Sequence, residues 1–158
     1  MNLIIKIDDI KLENIFFLDT KENIIMEGNF TKIIYSNECF MMNGIYLDLS
    51  INIFNIEKIM NKDYYRFNPL YPENINLIKK ISKLENQLLE YYKNNFHISS
   101  KINYLLSKQL HFGNLKIFKE YTKNIIEIKE KKNNYILKIS GIWENYNEFG
   151  ITYKLLEI

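Results

Sequence analysis

The residues best suited to chemistry lie near the C-terminus. Lys138-Ile139-Ser140-Gly141-Ile142-Trp143-Glu144 runs into a polar loop, Asn145-Tyr146-Asn147, and returns as Glu148-Phe149-Gly150-Ile151-Thr152-Tyr153-Lys154. With a three-residue hairpin loop whose Asn147 takes the left-handed conformation, Trp143 faces Phe149, Gly141 faces Ile151, Ile139 faces Tyr153 and Leu137 faces Leu155. That face is apolar and aromatic throughout, so the register is self-consistent. On the other face Ser140 meets Thr152 and Lys138 meets Lys154. Two ammonium groups directly opposite on a sheet repel each other. A phosphate backbone crossing the sheet relieves that repulsion; without one, both groups splay into water at a cost of about a few tenths of a kcal/mol. Trp143 serves either as a core or rim residue or as a stacking platform. Tyr146, at the tip of a polar loop, has little to pack on and can stack on a nucleobase, a contact worth roughly 1–3 kcal/mol.

Two further features extend this chemistry. Lys131-Lys132, in the turn before the hairpin, lengthen the basic track. Arg66 is the one arginine of the chain, in Asp63-Tyr64-Tyr65-Arg66-Phe67-Asn68. Where lysine is otherwise preferred, an arginine suits a planar bidentate or stacking contact, or equally a structural pair with Asp63.

Other chemistries find no handle. His97, His111 and Cys39 are the only nitrogen and sulfur ligands and none stands at metal-ligand spacing, so no metal site is expected. Asp8-Asp9 reads as a charged turn, since adjacent strand residues point to opposite faces. His97 and His111, between apolar neighbours, read as partly buried helix-end residues. No GxxxxGK[ST], GxGxxG or GxSxG pattern occurs. No catalytic set assembles, and neither an enzyme nor a cofactor is expected.

Composition qualifies the lysines. Of 158 residues, 28 are Ile, 22 Asn and 20 Lys, while Ala and Val are absent. Packing does not ask for this, because Ala and Val are common core residues; codons of a genome rich in A and T do. Lysine clusters are therefore cheap, and their distribution says more than their number. Residues 1–78 carry seven basic and eleven acidic side chains, residues 79–158 fourteen basic and eight acidic. Such asymmetry suits a polyanion partner on one side. With 47% apolar and 15% aromatic residues, the chain has the material for a core. No run approaches the length of a membrane-spanning helix, and the first residues lack the pattern of a signal peptide. A single cysteine excludes an internal disulfide and favours a reducing, cytoplasmic compartment. Cys39 itself reads as a buried structural thiol on a strand.

The elements that position these residues read as a single domain, 1–158: a β block 1–53, a helical insertion 54–113 and a β block 114–158. In the first block, segments 2–7, 10–18, 24–35 and 39–49 read as strands, with Asn43-Gly44 a tight hairpin turn or a bulge. In the insertion, 54–60 makes a helical turn or two. Pro72 then opens a helix of roughly five turns, to about Tyr92, striped by Leu77, Ile81, Leu84, Leu88 and Tyr91. Ser99 or Ser100 caps a second helix closed by Gly113. Segments 115–121, 125–130, 135–144 and 148–157 complete the strands. The stripe spans under three heptads, which favours packing on the domain's own sheet over a coiled coil. An α+β class follows, with an antiparallel sheet most economically closed as a barrel.

The pattern Lys-Ile-Ser-Gly-Ile-Trp-Glu, a short polar loop, then Gly-Ile-Thr-Tyr-Lys resembles the terminal hairpin of viral-type single-stranded-DNA-binding proteins, found in large DNA viruses and in the cytoplasmic linear killer plasmids of yeasts. The resemblance covers about 20 residues. It implies an antiparallel OB-like (oligonucleotide/oligosaccharide-binding) β-barrel with an inserted helical hairpin, binding single-stranded DNA during replication through aromatics and lysines on the barrel face. Two features depart from the phage members. The sequence ends Leu155-Leu156-Glu157-Ile158, without an acidic tail, and the insertion is longer than the usual single helix. Lys138, Lys154, Tyr146, Trp143, Lys131, Lys132 and Arg66 are the candidate nucleic-acid contacts. Homo-oligomers or replication proteins are the candidate partners, with no membrane. The rival reading is an accessory subunit of a viral polymerase or capsid complex, docking through amphipathic helices 72–112.

Overall fold

A computed structural model describes residues 3–25, 27–53, 55–118 and 135–157. The chain is α+β with a large, mostly antiparallel sheet. Its strands are β1 (Ile15–Phe17), β2 (Lys21–Glu22), β3 (Asn29–Ser36), β4 (Met41–Met42), β5 (Ile45–Leu49), β6 (Asn55–Ile59), β7 (Lys62–Arg66), β8 (Lys101–Ile102), β9 (Asn114–Phe118), β10 (Tyr135–Glu144) and β11 (Glu148–Glu157). Two helices, α1 (Pro72–Phe96) and α2 (Leu105–Phe112), lie between β7 and β9. The main strand order is β1-β3-β10-β11-β9-β7-β6. β2 and β4 join β3, β5 joins β10 and β8 joins β11. Among the described strands, only β8 and β9 run parallel to their partner β11. The expected closed barrel is not what forms: among the described residues the strand path is open, ending on β1 and β2 at one side and on β6 at the other.

α1 supplies the cover for the sheet's inner face. Pro72 starts it, as expected, where a missing N–H costs nothing. The helix buries Ile78, Ile81, Leu84, Leu88, Leu89 and Tyr92, each side chain contributing about 1.5–3 kcal/mol on leaving water. The stripe is thus rotated from the expected one: Ile81, Leu84 and Leu88 hold, while Leu77 and Tyr91 flank it half-buried. Tyr92 packs on Phe17 and Phe149 at ring separations of 5.1 and 5.8 Å, and its hydroxyl meets Thr31 Oγ1 at 3.1 Å. Buried Asn74 pins the start of the helix, accepting from Asn52 N–H at 2.9 Å and donating to the carbonyls of Asn52 and Asn68.

Several local expectations are corrected. Of the expected helical segment 54–60, residues 55–60 are not helical: β6 and β7 form a hairpin closed by Met60 and Asn61, with φ of 47° and 63°. Positive φ at both central residues is the signature of the turn that matches strand twist. Residues 3–14 contribute short 3₁₀ turns, Ile7–Asp9 and Leu12–Asn14, in place of strands. The charged turn at Asp8-Asp9 is as expected, and Asp8 pairs with Lys80 of α1 at 2.5 Å. Gly44 (φ 110°) makes neither a hairpin nor a bulge; it is the corner that carries the chain from β4, paired with β3, to β5, paired with β10. Cys39 is exposed in a loop, where Asn37 Oδ1 accepts the N–H groups of Cys39 and Phe40. His97, in the left-handed conformation that ends α1, and His111 are exposed as well. α2 starts after Tyr104, not at Ser99 or Ser100, because Lys101–Ile102 pairs with β11. Gly113 closes it with φ 74°, as expected. The anticipated strand 125–130 lies outside the described residues.

Candidate nucleic-acid interface

The terminal hairpin joins β10 and β11 in two registers. Tyr135 to Ile139 pair as expected, with Leu137 opposite Leu155, Lys138 opposite Lys154 and Ile139 opposite Tyr153. Beyond that a bulge at Ser140 shifts the pairing by one, so Gly141 faces Thr152, Ile142 faces Ile151, Trp143 faces Gly150 and Glu144 faces Phe149. The expected pairs Ser140–Thr152, Gly141–Ile151 and Trp143–Phe149 do not form. A bulge turns every later side chain to the other face and bends the strand. β3 lies close at this point: a Cβ on Gly141 would collide with the Thr31 carbonyl oxygen and lie 2.5 Å from Phe30 Cζ. β10 also changes partner here, pairing with β5 before the bulge and with β3 after it.

The slip puts Ile142 in the core and brings Trp143 to the half-exposed outer face. Trp143 lies directly across from Phe30 of β3, with its ring over Gly150 on the other side. Lys21 stands opposite Phe30, and Lys32 opposite Gly141. Phe17, Leu18, Phe30, Lys21 and Lys32, with one carboxylate, Asp19, line a shallow groove of about 500 Å³ beside this aromatic pair. On the other side of the bulge, Lys138 and Lys154 share the outer face. The parallel pairing of Leu155 with Ile117 places Lys116 of β9 next to Lys154. Lys138, Lys154 and Lys116 thus cross three adjacent strands, which sit about 4.8 Å apart.

Lys138 has a structural partner that sequence reasoning missed. Its ammonium lies 5.1 Å from the centroid of Tyr46, which faces it from β5. A cation over an aromatic face is worth roughly 0.5–1 kcal/mol at a partly exposed site, enough to offset the repulsion from Lys154.

The loop at the hairpin tip is tighter than expected. Asn145 N–H donates to the Glu148 carbonyl at 2.9 Å, and Asn145 Oδ1 accepts the N–H groups of Asn147 and Glu148, both at 2.9 Å. The Asn145 side chain organises the turn, so Asn147 does not take the left-handed conformation. Tyr146 projects from it, 97% exposed. Next to it, burial raises the Glu144 carboxyl above its ordinary value.

The other candidates fall elsewhere. Arg66 is on β7, beyond β9 from the hairpin, and its Nε donates to Glu57 Oε2 at 2.6 Å. Lys131 and Lys132 lie outside the described residues. The residues missed in the sequence are Phe30, Lys32, Lys21, Tyr46 and Lys116. The alternation Phe30-Thr31-Lys32-Ile33 was a visible signal for the first two, since it sets Phe30 and Lys32 on one face of a strand. Nothing local indicated which strand they would meet.

Behind the face, the helices are tied together by Glu85. Buried on α1, it accepts the N–H groups of Leu106 and Ser107 at 3.1 and 2.8 Å and the Ser107 hydroxyl, capping α2. Burial raises its carboxyl above the ordinary value, and the Ser107 and Leu106 hydrogen bonds oppose that rise. Tyr153 donates to Gln109 of α2. Burial first, then the charge of Glu85, holds its hydroxyl above the ordinary value.

No family of proteins, curated protein or solved structure matches this chain. Among the described residues no helix is long and apolar enough to cross a membrane.

Proposed function

We propose that this chain binds single-stranded DNA on the outer face of its sheet, in replication of an AT-rich virus or virus-like replicon in the cytoplasm. One observation carries the reading: the lysine row Lys138, Lys154 and Lys116 runs across three strands beside the Trp143–Phe30 pair. The lysines meet phosphates and the aromatics stack on bases, a division of labour that reads charge and ring faces and not sequence. The bent strand β10, shared between β5 and β3, supports an OB-like reading of the sheet in an open form. Replication proteins or further copies of the chain are the partners this function calls for. The rival, a subunit docking through its helices, is not favoured, because α1 spends its apolar stripe on the chain's own sheet.

Quenching of Trp143 fluorescence by dT oligomers tests the proposal. With about four phosphates neutralised, affinity should fall on the order of 50-fold between 50 and 200 mM salt. Lys138→Glu combined with Lys154→Glu should weaken binding by a similar factor, at a stability cost of no more than about 1 kcal/mol from the lost cation–π contact. Absence of binding by the wild-type chain at low salt overturns the proposal.

A further inference from the structure

The lysine row does not end at Lys138. Lys32 on β3 and Lys21 on β2 share its outer face, since Lys32 stands opposite Gly141 and Lys21 opposite Phe30, the partner of Trp143. Counted in residue pairs along the ladder, Lys32 lies two beyond Lys138, and Lys21 two beyond Lys32. Lys116, Lys154, Lys138, Lys32 and Lys21 therefore form one line with a single cation on each of β9, β11, β10, β3 and β2. It runs straight across the sheet and then turns diagonal. Strand spacing and rise set its intervals at about 5 Å in the straight part and about 8 Å in the diagonal part. These intervals bracket the distance between successive phosphates of an extended single strand. Beyond Lys116 the same line continues to Tyr64 and Glu57, which bring no cation.

The diagonal part ends in a cavity. Phe30 packs over Gly141, where a Cβ would meet its ring, and so lies beside Lys32. Past Phe30, the link from β1 to β2 leaves the groove of about 500 Å³ whose lining includes Lys21 and Lys32. The Leu18 N–H donates to the Lys32 carbonyl at 3.0 Å, which fixes that wall against β3. The groove is thus apolar at Leu18 and Phe30 and cationic at Lys21 and Lys32. Asp19 belongs to the same lining, yet among the described residues neither lysine has an ion-pair or hydrogen-bond partner. Two unpaired cations beside an apolar wall suit a ligand that is anionic on one side and apolar on the other. A nucleotide of a strand already lying on Trp143 and Phe30 is such a ligand, and it reaches the groove without leaving the face.

We propose that the groove seats the nucleotide next to those stacked on Trp143 and Phe30, its phosphate between Lys21 and Lys32. The inference rests on the proposed single-strand binding and adds the path and length of the strand. The phosphates follow the lysine line, the bases turn toward the aromatic pair, and the bound unit is about five nucleotides instead of about three.

The experiment follows binding of dT oligomers of about three to ten residues by Trp143 fluorescence. Affinity should climb steeply up to about five residues and slowly beyond. Lys21→Gln combined with Lys32→Gln should weaken the longest oligomer about tenfold and lower the salt slope by about 1.4. The steep climb should then end at about three residues. Asp19→Asn, which removes the carboxylate of the groove, should shift affinity the other way, by about twofold. If the wild-type chain binds dT and the lysine pair alters neither affinity nor slope, the inference falls and the proposed function stands. A wild-type climb that already ends at about three residues has the same meaning. If no oligomer binds at low salt, both fall. A polyglutamate peptide that competes better than dT of equal charge overturns the inference in favour of an acidic protein partner.

Discussion

The two halves of the terminal hairpin use the same two strands differently. On the Tyr135–Ile139 side the pairing is regular, β5 is the neighbour, and Tyr153 reaches to Gln109 of α2. On the Gly141–Glu144 side the register is shifted by one, β3 is the neighbour, and Phe149 packs on Tyr92 of α1. One half therefore presents lysines outward and the other presents Trp143. Without the bulge Trp143 would turn into the core, and charge and aromatic would lie on opposite faces. A single extra residue, Ser140, is what sets the lysines and Trp143 on one face.

The largest effect should come from crowding the strand contact beside the bulge. Gly141→Ala places a Cβ against the Thr31 carbonyl and the Phe30 ring. It should cost about 3 kcal/mol of stability in a chemical denaturation curve, the range of an overpacked core site. A loss under about 0.5 kcal/mol would mean that the close approach of β3 does not hold the shifted register.

Next in size, Trp143→Leu should weaken a labelled dT oligomer about tenfold, the loss of one stacking contact, with a smaller change in stability because the side chain is already partly exposed. A mainly structural Trp143 would reverse that order, costing stability and sparing affinity.

What was legible in the sequence divides along the same line. The Lys138–Lys154 half is local: its alternation and a short loop fix which residues face each other. The other half was written with equally good alternation, but in the wrong register. The groups that meet Gly141 there, Thr31 and Phe30, lie more than a hundred residues earlier, and no pattern within the hairpin reveals them. The middle of α1 was readable because Ile81, Leu84 and Leu88 recur at helical spacing. The β6–β7 hairpin was not, since Ile56 and Ile59 of β6 are both exposed, leaving no two-residue alternation to read. The spacing of those two isoleucines imitates a helix. Asn61, able to take positive φ, was the one local hint of the turn.

A smaller effect separates the supports of the two halves. Glu85 holds α2, on which the Tyr153 side leans, and burial raises its carboxyl in the folded chain. A carboxyl whose folded value lies above its unfolded one binds more protons when folded, so its contribution is full below the ordinary value of 4.5 and is lost as pH rises through the folded value. The stability of the wild-type chain relative to Glu85→Gln should therefore decline with rising pH over that window. A difference that is flat, or that grows with pH, would mean that the hydrogen bonds from Ser107 and Leu106 outweigh burial.

The smallest effect concerns Lys138, which the geometry assigns two roles. Its ammonium over Tyr46 is a structural contact, and its place beside Lys154 is, under the proposed function, a phosphate contact. These roles compete, because a cation held against a ring is less available to a phosphate. Tyr46→Leu keeps an apolar side chain at a site only 7% exposed and removes the ring. Stability should fall by about 0.5–1 kcal/mol beyond the loss of packing, and a double-mutant cycle with Lys138→Met isolates that part. Affinity for a dT oligomer should hold or rise slightly, since Lys138 is released toward solvent while the charge on the face is unchanged. If affinity drops with Tyr46→Leu, the ring serves to aim the ammonium at the phosphate, and the two halves of the hairpin are both prearranged for the ligand, one by a bulge and the other by a tyrosine.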